Sequence, residues 1–231
     1  MAVFSSMKDD EFVRGVLGEN YVAMTEENIE KGDPLGVYHS GSQISMFLEI
    51  TLNNITVSFY TFIAGILFTL GTHVLIFNNA VMLGAFQYFF HLKGLLLASF
   101  LGIWIHGAFE ISSIAIAGGA GITLGNGILF PGSYTRLQSL QLSSKRGLKI
   151  MMSLIPFLIA AGFLESYVTH NYQELADWAK WTIITISFSI IIFYYIIFPV
   201  VVARRHPELV HESDPPIKTY INVFDLNKIR T

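Results

Sequence analysis

Long apolar stretches separated by short polar ones fill the chain between positions 44 and 203. A helix needs about 20 apolar residues to cross roughly 30 Å of hydrocarbon. By this measure the pattern gives about six apolar segments, two of them short or re-entrant. It predicts an all-α fold, a polytopic membrane helix bundle over residues 44–203. The more polar flanks predict a cytoplasmic helical N-terminal region over residues 1–43 and a cytoplasmic tail over residues 204–231.

Within the N-terminal region, the pattern predicts a helix over residues 19–31 that is closed by Gly32. Asp33-Pro34 then fits the start of another helix, because Asp is a favoured N-cap and Pro fits the first helical position. The apolar positions of this region fit either an ordinary amphipathic surface helix or a stripe that docks a partner: Val13, Val16, Leu17, Tyr21, Val22 and Met24.

The first half of the apolar region is irregular in its segment lengths. Residues 44–53 are too few to span and predict an interfacial helix, whereas residues 54–77 predict the first spanning helix, ended by the turn signal Asn78-Asn79. Residues 80–92 and 95–105 are each short. They fit broken or re-entrant helices, or two short helices in a locally thinned bilayer.

The second half predicts three further spans, over residues 109–130, 148–168 and 182–203. The loop between the last two carries no positive bias and is flanked by Tyr and Trp, so it is expected outside. Residues 133–149 separate the first two and overlap the start of the second; they hold four basic residues and no acid, and the positive-inside rule places them in the cytoplasm. This stretch fits either a segment on the inner leaflet or a topology signal alone. Its basic residues, here called the basic cluster, are Arg136, Lys145, Arg146 and Lys149.

Composition supports a membrane protein. Only 13% of the 231 residues are charged, 52% are hydrophobic, and the mean hydropathy is +0.53, whereas soluble proteins carry about 25% charged residues. There is no Cys, which excludes disulfides, thiolate metal sites and Cys nucleophiles. Residues 1–43 hold no apolar core of a signal peptide, so the first span is expected to direct insertion.

Two ionisable residues stand inside an apolar run. His106 and Glu110 are four positions apart, so on a helix they share a face. A charge at this depth costs about 2.5–3.5 kcal/mol on insertion scales, and such residues usually mark function or buried contacts. The pair fits a structural lock between helices, a proton or transport site, or a metal site. It lacks the second His of a zinc-protease motif, so no metal and no cofactor are predicted.

Three further polar residues are weaker candidates for the same intramembrane polar site: Glu165, Asn54 and Asn79. Each lies near the end of a predicted segment, where an ordinary interfacial role would also explain it. Ala117, Gly121 and Gly125 recur at four-residue spacing and form a small-residue ridge. Such a ridge permits close helix packing, either inside the bundle or across a homodimer.

No catalytic constellation is found in the sequence. The glycines at 118–121 are not followed by the Lys-Ser/Thr of a phosphate-binding loop, and no nucleophile elbow is present. The chain is therefore predicted not to be an enzyme. Nucleic-acid binding has no support beyond the basic cluster, which topology explains better.

Several short motifs occur in an order that resembles the stage II sporulation protein M family. The resemblance covers about residues 44–170 and is strongest at His106-Gly107-Ala108-Phe109-Glu110. The other matching motifs are Asn53-Asn54-Ile55, Gly65-Ile66-Leu67, Gly71-Thr72, the run from Phe77 to Gly84, the run from Ile116 to Gly121, Leu124-Gly125, Pro131, Arg136, and the run from Ala161 to Glu165.

The resemblance implies a multi-pass membrane protein, here expected in the bacterial cytoplasmic (inner) membrane. The count of six segments, with the basic cluster and Arg204-Arg205 inside, predicts that both termini are cytoplasmic. In spore formers the family's namesake works in an engulfment complex with peptidoglycan-degrading partners. The expected function is therefore a non-enzymatic scaffold whose partners are the lipid bilayer and envelope-remodelling proteins, with a possible homodimer. The alternative is a transporter or permease subunit. That alternative requires a water-accessible cavity reaching Glu110, whereas a lock would seal Glu110 in dry packing.

Overall fold

The computed structural model describes residues 10–36 and 42–206, and within these ranges the protein is helical and has no strand. The predicted tail lies almost entirely outside them. The described residues form seven helices: α1 Asp10–Leu17, α2 Glu19–Glu30, α3 Gln43–Ile63, α4 Leu70–Leu92, α5 Leu96–Leu129, α6 Arg136–Glu174 and α7 Asp177–Arg205. The all-α prediction is confirmed for the described residues.

Four of these helices, α4 to α7, are long and apolar enough to cross a membrane, so the predicted count of six is not confirmed. The two short predicted segments are parts of longer helices. Residues 80–92 belong to α4, which has 23 residues, and residues 95–105 open α5, which has 34. At 1.5 Å per residue α5 is about 51 Å long.

The chain breaks between α3 and α4, in the middle of the predicted first span. Ala64–Ile66 form a 3₁₀ turn, and Phe68 and Thr69 then adopt positive φ angles of 52° and 69°. The predicted turn at Asn78-Asn79 is wrong, because both residues lie inside α4. Asn79 satisfies its amide there, donating from Nδ2 to the carbonyl oxygen of Leu75 at 2.9 Å.

The predicted interfacial helix over residues 44–53 is instead the first half of α3, which continues without a break to Ile63. The turn between α3 and α4 is held by a buried hydrogen bond in which Thr72 Oγ1 donates to the carbonyl oxygen of Thr61 at 2.7 Å. The two helices therefore form an antiparallel hairpin.

Two glycines of the small-residue ridge lie against this hairpin. A Cβ atom on Gly121 would stand 2.8 Å from the carbonyl oxygen of Thr61, and one on Gly125 would stand 2.6 Å from the backbone nitrogen of Thr69. Ala117 is fully buried. The ridge is thus occupied by the chain's own hairpin, which leaves it no room to act as a homodimer face.

The N-terminal helices pack on the bundle by their apolar stripe. Val13 and Val22 are buried and join a core cluster with Phe86, Phe90 and Ile103, while Met24 remains exposed. The predicted helix over residues 19–31 is confirmed as α2, followed by Gly32 at a φ of 81°. At Asp33-Pro34, the Gly36 nitrogen donates to the Asp33 carbonyl oxygen at 3.0 Å. The residues that would continue the predicted helix from there lie outside the described ranges.

The basic cluster is helical, not a loop. Thr135 and Gln138 form a capping box that starts α6, which runs antiparallel to α5 after the break at Pro131-Gly132. The four basic residues are exposed. Gly147, between Lys145 and Lys149, lies against the Phe62 ring, so the cluster stands at the level of the hairpin turn.

The N-terminal helices lie at the end of the helix bundle opposite the hairpin turn. Lys93 Nζ, just after α4, donates to Glu26 Oε1 at 2.7 Å, and Gln173 Nε2, at the end of α6, donates to Asp33 Oδ1 at 2.8 Å. Because α5 and α6 run the length of the bundle, residues 10–36 and the basic cluster lie at opposite ends of it. The side of the membrane on which each lies stays a prediction.

The chain forms two compact units, Met1–Ser187 and Phe188–Thr231. In the first unit, Lys180 Nζ lies 3.7 Å from the centroid of the Tyr172 ring near the start of α7. In the second, which is described as far as His206, Phe193–Ile197 form a π-helical turn, and Tyr194 stacks on Phe198. Arg204 and Arg205 end its last helical segment.

Candidate functional site

His106 occupies a buried position on α5 and is 4% exposed. Its Nδ1 atom lies 3.1 Å from Oγ1 of Thr169, which follows the π-helical turn of α6. Glu110 is one helical turn further along the same face of α5, as the sequence spacing predicts. The imidazole is therefore held from one side by a hydroxyl.

Glu165 completes a cluster of three side chains. The π-helical turn Leu164–Val168 carries it, and such single turns occur often at functional sites. His106 Nε2 and Glu165 Oε1 are 3.9 Å apart, with side-chain exposures of 5% and 13%. One ligand atom from each of His106, Glu110 and Glu165 lies within 4.8 Å of the other two. We call these residues the His–Glu–Glu cluster.

Asn54 and Asn79, also predicted as polar-site residues, lie around the same region. Asn54 is 5% exposed and interacts electrostatically with the Glu110 carboxyl group. Its Nδ2 atom is directed at Glu110 as a hydrogen-bond donor, but it reaches no acceptor with ordinary hydrogen-bond geometry. The structure thus groups residues that the sequence presented as separate features of different segments.

A cavity of about 530 Å³ opens onto the cluster. His106, Glu110, Glu165 and Asn79 line its polar part, and apolar residues of α4 and α5 line most of the rest. The N-terminal helices contribute the remaining wall: Val16, Leu17 and Tyr21. Burial raises the pKa of Tyr21 to about 12, so its phenol stays neutral at physiological pH. Because Glu110 lines this cavity, its side chain is not sealed in dry packing.

The cluster can act chemically as a proton or cation site. Two carboxyl groups and an imidazole offer oxygen and nitrogen donors, and apolar surroundings make any uncompensated charge costly. A proton shared among them, or a bound cation, would reduce that cost. The donor types suit a first-row divalent ion because imidazole and carboxylate both ligate such metals.

The remaining predicted residues lie elsewhere. The ridge residues lie further along α5, where Gly121 and Gly125 pack on the hairpin and Ala117 is buried. The basic cluster is exposed near the hairpin turn. Thr169 is a functional candidate that the sequence reasoning missed. The signal available was its position four residues after Glu165, which fits one face of a helix but does not indicate contact with another helix.

Comparison with known proteins gives a family match. A family model described as Stage II sporulation protein M matches residues 3–170. This span includes the hairpin, the ridge and the whole His–Glu–Glu cluster. No curated protein and no solved structure matches the chain.

Proposed function

Because the family match extends over residues 3–170, the chain belongs to the stage II sporulation protein M family, and we propose that it is a membrane scaffold. In this proposal it organises envelope-remodelling (peptidoglycan) partners in the bacterial cytoplasmic membrane and catalyses no reaction itself. Family membership is the observation that carries the proposal. The four helices that are long and apolar enough to span a membrane support its membrane location.

The surface of the helices supports a role in assembly. The most apolar window of α4 is only 22% buried and that of α7 only 11%, so both present apolar side chains to lipid or to partner helices. A homodimer remains part of the proposal. Its interface would have to use such a surface, since the small-residue ridge is filled by the α3–α4 hairpin.

Photo-crosslinking in native membranes tests the scaffold. A photoreactive residue replaces Tyr60 or Leu70, which are 64% and 69% exposed, and the matched control replaces the fully buried Leu154. We expect adducts with envelope-remodelling proteins, or with a second copy of the chain, at the exposed positions only. Lipid adducts alone at both exposed positions would contradict the scaffold.

We further propose an orientation. The positive-inside rule favours the basic cluster on the cytoplasmic side. If α5 and α6 each cross the membrane once, α1 and α2 lie on the opposite side, since they stand at the other end of the bundle. This arrangement replaces the expectation that the N-terminal region is cytoplasmic.

A second candidate function, a transporter or permease subunit, is favoured by one specific observation. The cavity reaches His106, Glu110 and Glu165, as a water-accessible pathway would require, and ionisable residues at membrane depth often form proton relays.

Glu110→Gln separates the two functions because it keeps the shape of the side chain but removes its ability to ionise. A lock or scaffold should retain folded protein and its crosslinks. A proton-coupled transporter should lose proton flux in vesicles carrying a pH-sensitive dye. Flux that is absent from the unmodified protein would remove the transport candidate.

A further inference from the structure

We propose that the His–Glu–Glu cluster binds a first-row divalent metal ion such as Zn²⁺, with His106 Nε2 and one carboxylate oxygen each of Glu110 and Glu165 as ligands. The proposal concerns binding and holds whether the protein acts as a scaffold or as a permease.

The spacing of the donor atoms fits a metal ion. Zinc binds nitrogen and carboxylate oxygen at about 2.0–2.2 Å, which places neighbouring ligands about 3.0–3.5 Å apart. The three donor atoms lie within 4.8 Å of one another, so small side-chain rotations would bring them to this spacing. His106 Nε2 and Glu165 Oε1, at 3.9 Å, are too far apart for a direct hydrogen bond. The two residues therefore line the same cavity, and these two atoms are not hydrogen-bonded to each other.

The groups behind the ligands also match a metal site. Metal-bound imidazoles almost always use their second nitrogen in a hydrogen bond that fixes the ring, and His106 Nδ1 lies 3.1 Å from Thr169 Oγ1. The Nδ2 atom of Asn54, which is 95% buried and interacts with Glu110, has no partner of ordinary geometry. A shift of Glu110 toward a metal gives this donor a carboxylate oxygen to bind.

Charge and access favour the same conclusion. Two carboxylates in an apolar setting are costly, and a divalent cation compensates both charges at once. The cavity of about 530 Å³ provides an approach to the cluster and room for a water molecule as a fourth ligand. Because imidazole is among the ligands, the site should prefer a transition metal to Mg²⁺, which favours oxygen ligands and retains its water.

Metal titration of the unmodified full chain is the first test. The protein is purified in detergent with a tag that contains no histidine, stripped with a chelator, and titrated with Zn²⁺ against a chromophoric chelator. We expect saturable binding of about one ion per chain, weaker binding of Mn²⁺, and no displacement of Zn²⁺ by excess Mg²⁺. The absence of saturable binding, or displacement by Mg²⁺, would overturn the proposal.

Variants locate the site. We expect Glu110→Gln, Glu165→Gln and His106→Gln each to lower the Zn²⁺ affinity at least roughly tenfold, and Thr169→Val to lower it about tenfold through the imidazole. Thr169→Ser keeps the hydroxyl and should bind as the unmodified protein does. Glu49→Gln, an exposed position on α3, is the matched control. Ligand variants that bind normally, or a control that loses as much affinity, would refute this location.

A measurement on the unmodified protein keeps the proposal testable if a variant fails to fold. X-ray absorption of the zinc-loaded chain should show nitrogen and oxygen neighbours with the outer-shell scattering of an imidazole. A spectrum with oxygen neighbours alone would contradict His106 as a ligand.

Discussion

At the scale of single residues, Gly121 shows how the absence of a side chain fixes the distance between helices. The backbone carbonyl oxygens of Thr61 and Phe62 lie close to its Cα atom. They would be 2.8 and 3.0 Å from a Cβ atom added at this position. Backbone atoms cannot rotate away as a flexible side chain can. Gly119, two positions earlier on the same helix, has no atom within 4 Å of the corresponding point and so provides an internal comparison.

We predict that Gly121→Ala destabilises the protein by about 2 kcal/mol or more, because an overpacked contact forces α5 away from the hairpin. Gly119→Ala should leave stability unchanged or raise it by about 0.5–1 kcal/mol, since Ala is the better helix former. Thermal unfolding in one detergent, monitored by circular dichroism, measures both. Equal effects of the two substitutions would show that the close approach at Gly121 is unimportant.

At the scale of secondary-structure elements, the N-terminal helices are held by an apolar contact and by ion pairs at its edge. Glu26 is the central anion, with Lys93 Nζ at 2.7 Å and Arg14 Nη2 at 3.3 Å. The hydrogen bond from Lys93 lowers the pKa of Glu26 below its ordinary value of 4.5, with smaller contributions from the charges of Lys93 and Arg14. Exposed pairs of this kind contribute about 0.2–1 kcal/mol, so the apolar contact of Val13 and Val22 contributes most of the attachment.

The lowered pKa gives the ion pair a defined pH dependence. Its contribution is complete above the ordinary glutamate pKa and is lost as the pH falls through the lower pKa of folded Glu26. We therefore predict that amide hydrogen exchange in α1 and α2 is slower at pH 7 than at pH 3.5, after correction for intrinsic rates, and that Glu26→Gln shrinks this difference. Glu27→Gln is the control, since Glu27 pairs only locally, with Lys31 on the same helix segment. A Glu27→Gln effect as large as that of Glu26→Gln would argue against the pair to Lys93.

The element boundaries show which features of the fold the sequence could predict. Gly94 and Pro131-Gly132 carry ordinary turn signals, and the chain does turn there. Phe68 and Thr69 turn the chain with positive φ angles, yet neither residue type predicts this conformation.

The sequence likewise predicts some contacts of the His–Glu–Glu cluster and not others. His106 and Glu110 share one helix, so their spacing predicts their contact, whereas Glu165 reaches them through packing of a second helix and its π-helical turn.

At the scale of the whole first unit, residues 10–36 and the basic cluster mark opposite ends. The chain has no Cys, so single cysteines can report each end without background labelling. Glu27 and Gln141 are both exposed and represent the two ends.

We predict that a membrane-impermeant maleimide labels Glu27→Cys in intact spheroplasts and labels Gln141→Cys only after permeabilisation. The reverse pattern would contradict the proposed orientation but not the fold. Labelling of both positions from one side would contradict the arrangement of the helices itself.

The shared wall of the cavity has a thermodynamic consequence. Because Val16, Leu17 and Tyr21 form part of that wall, a molecule or ion that favours the closed cavity also favours the docked N-terminal helices. Linkage requires this effect to be reciprocal. If an extramembrane partner pulls these helices away and so lowers the affinity of the cavity for its ligand, the bound ligand lowers the affinity of the helices for that partner by the same ratio. Through this coupling, a segment of the chain that is rich in acidic residues and accessible to other molecules can report on a buried polar site and be controlled by it.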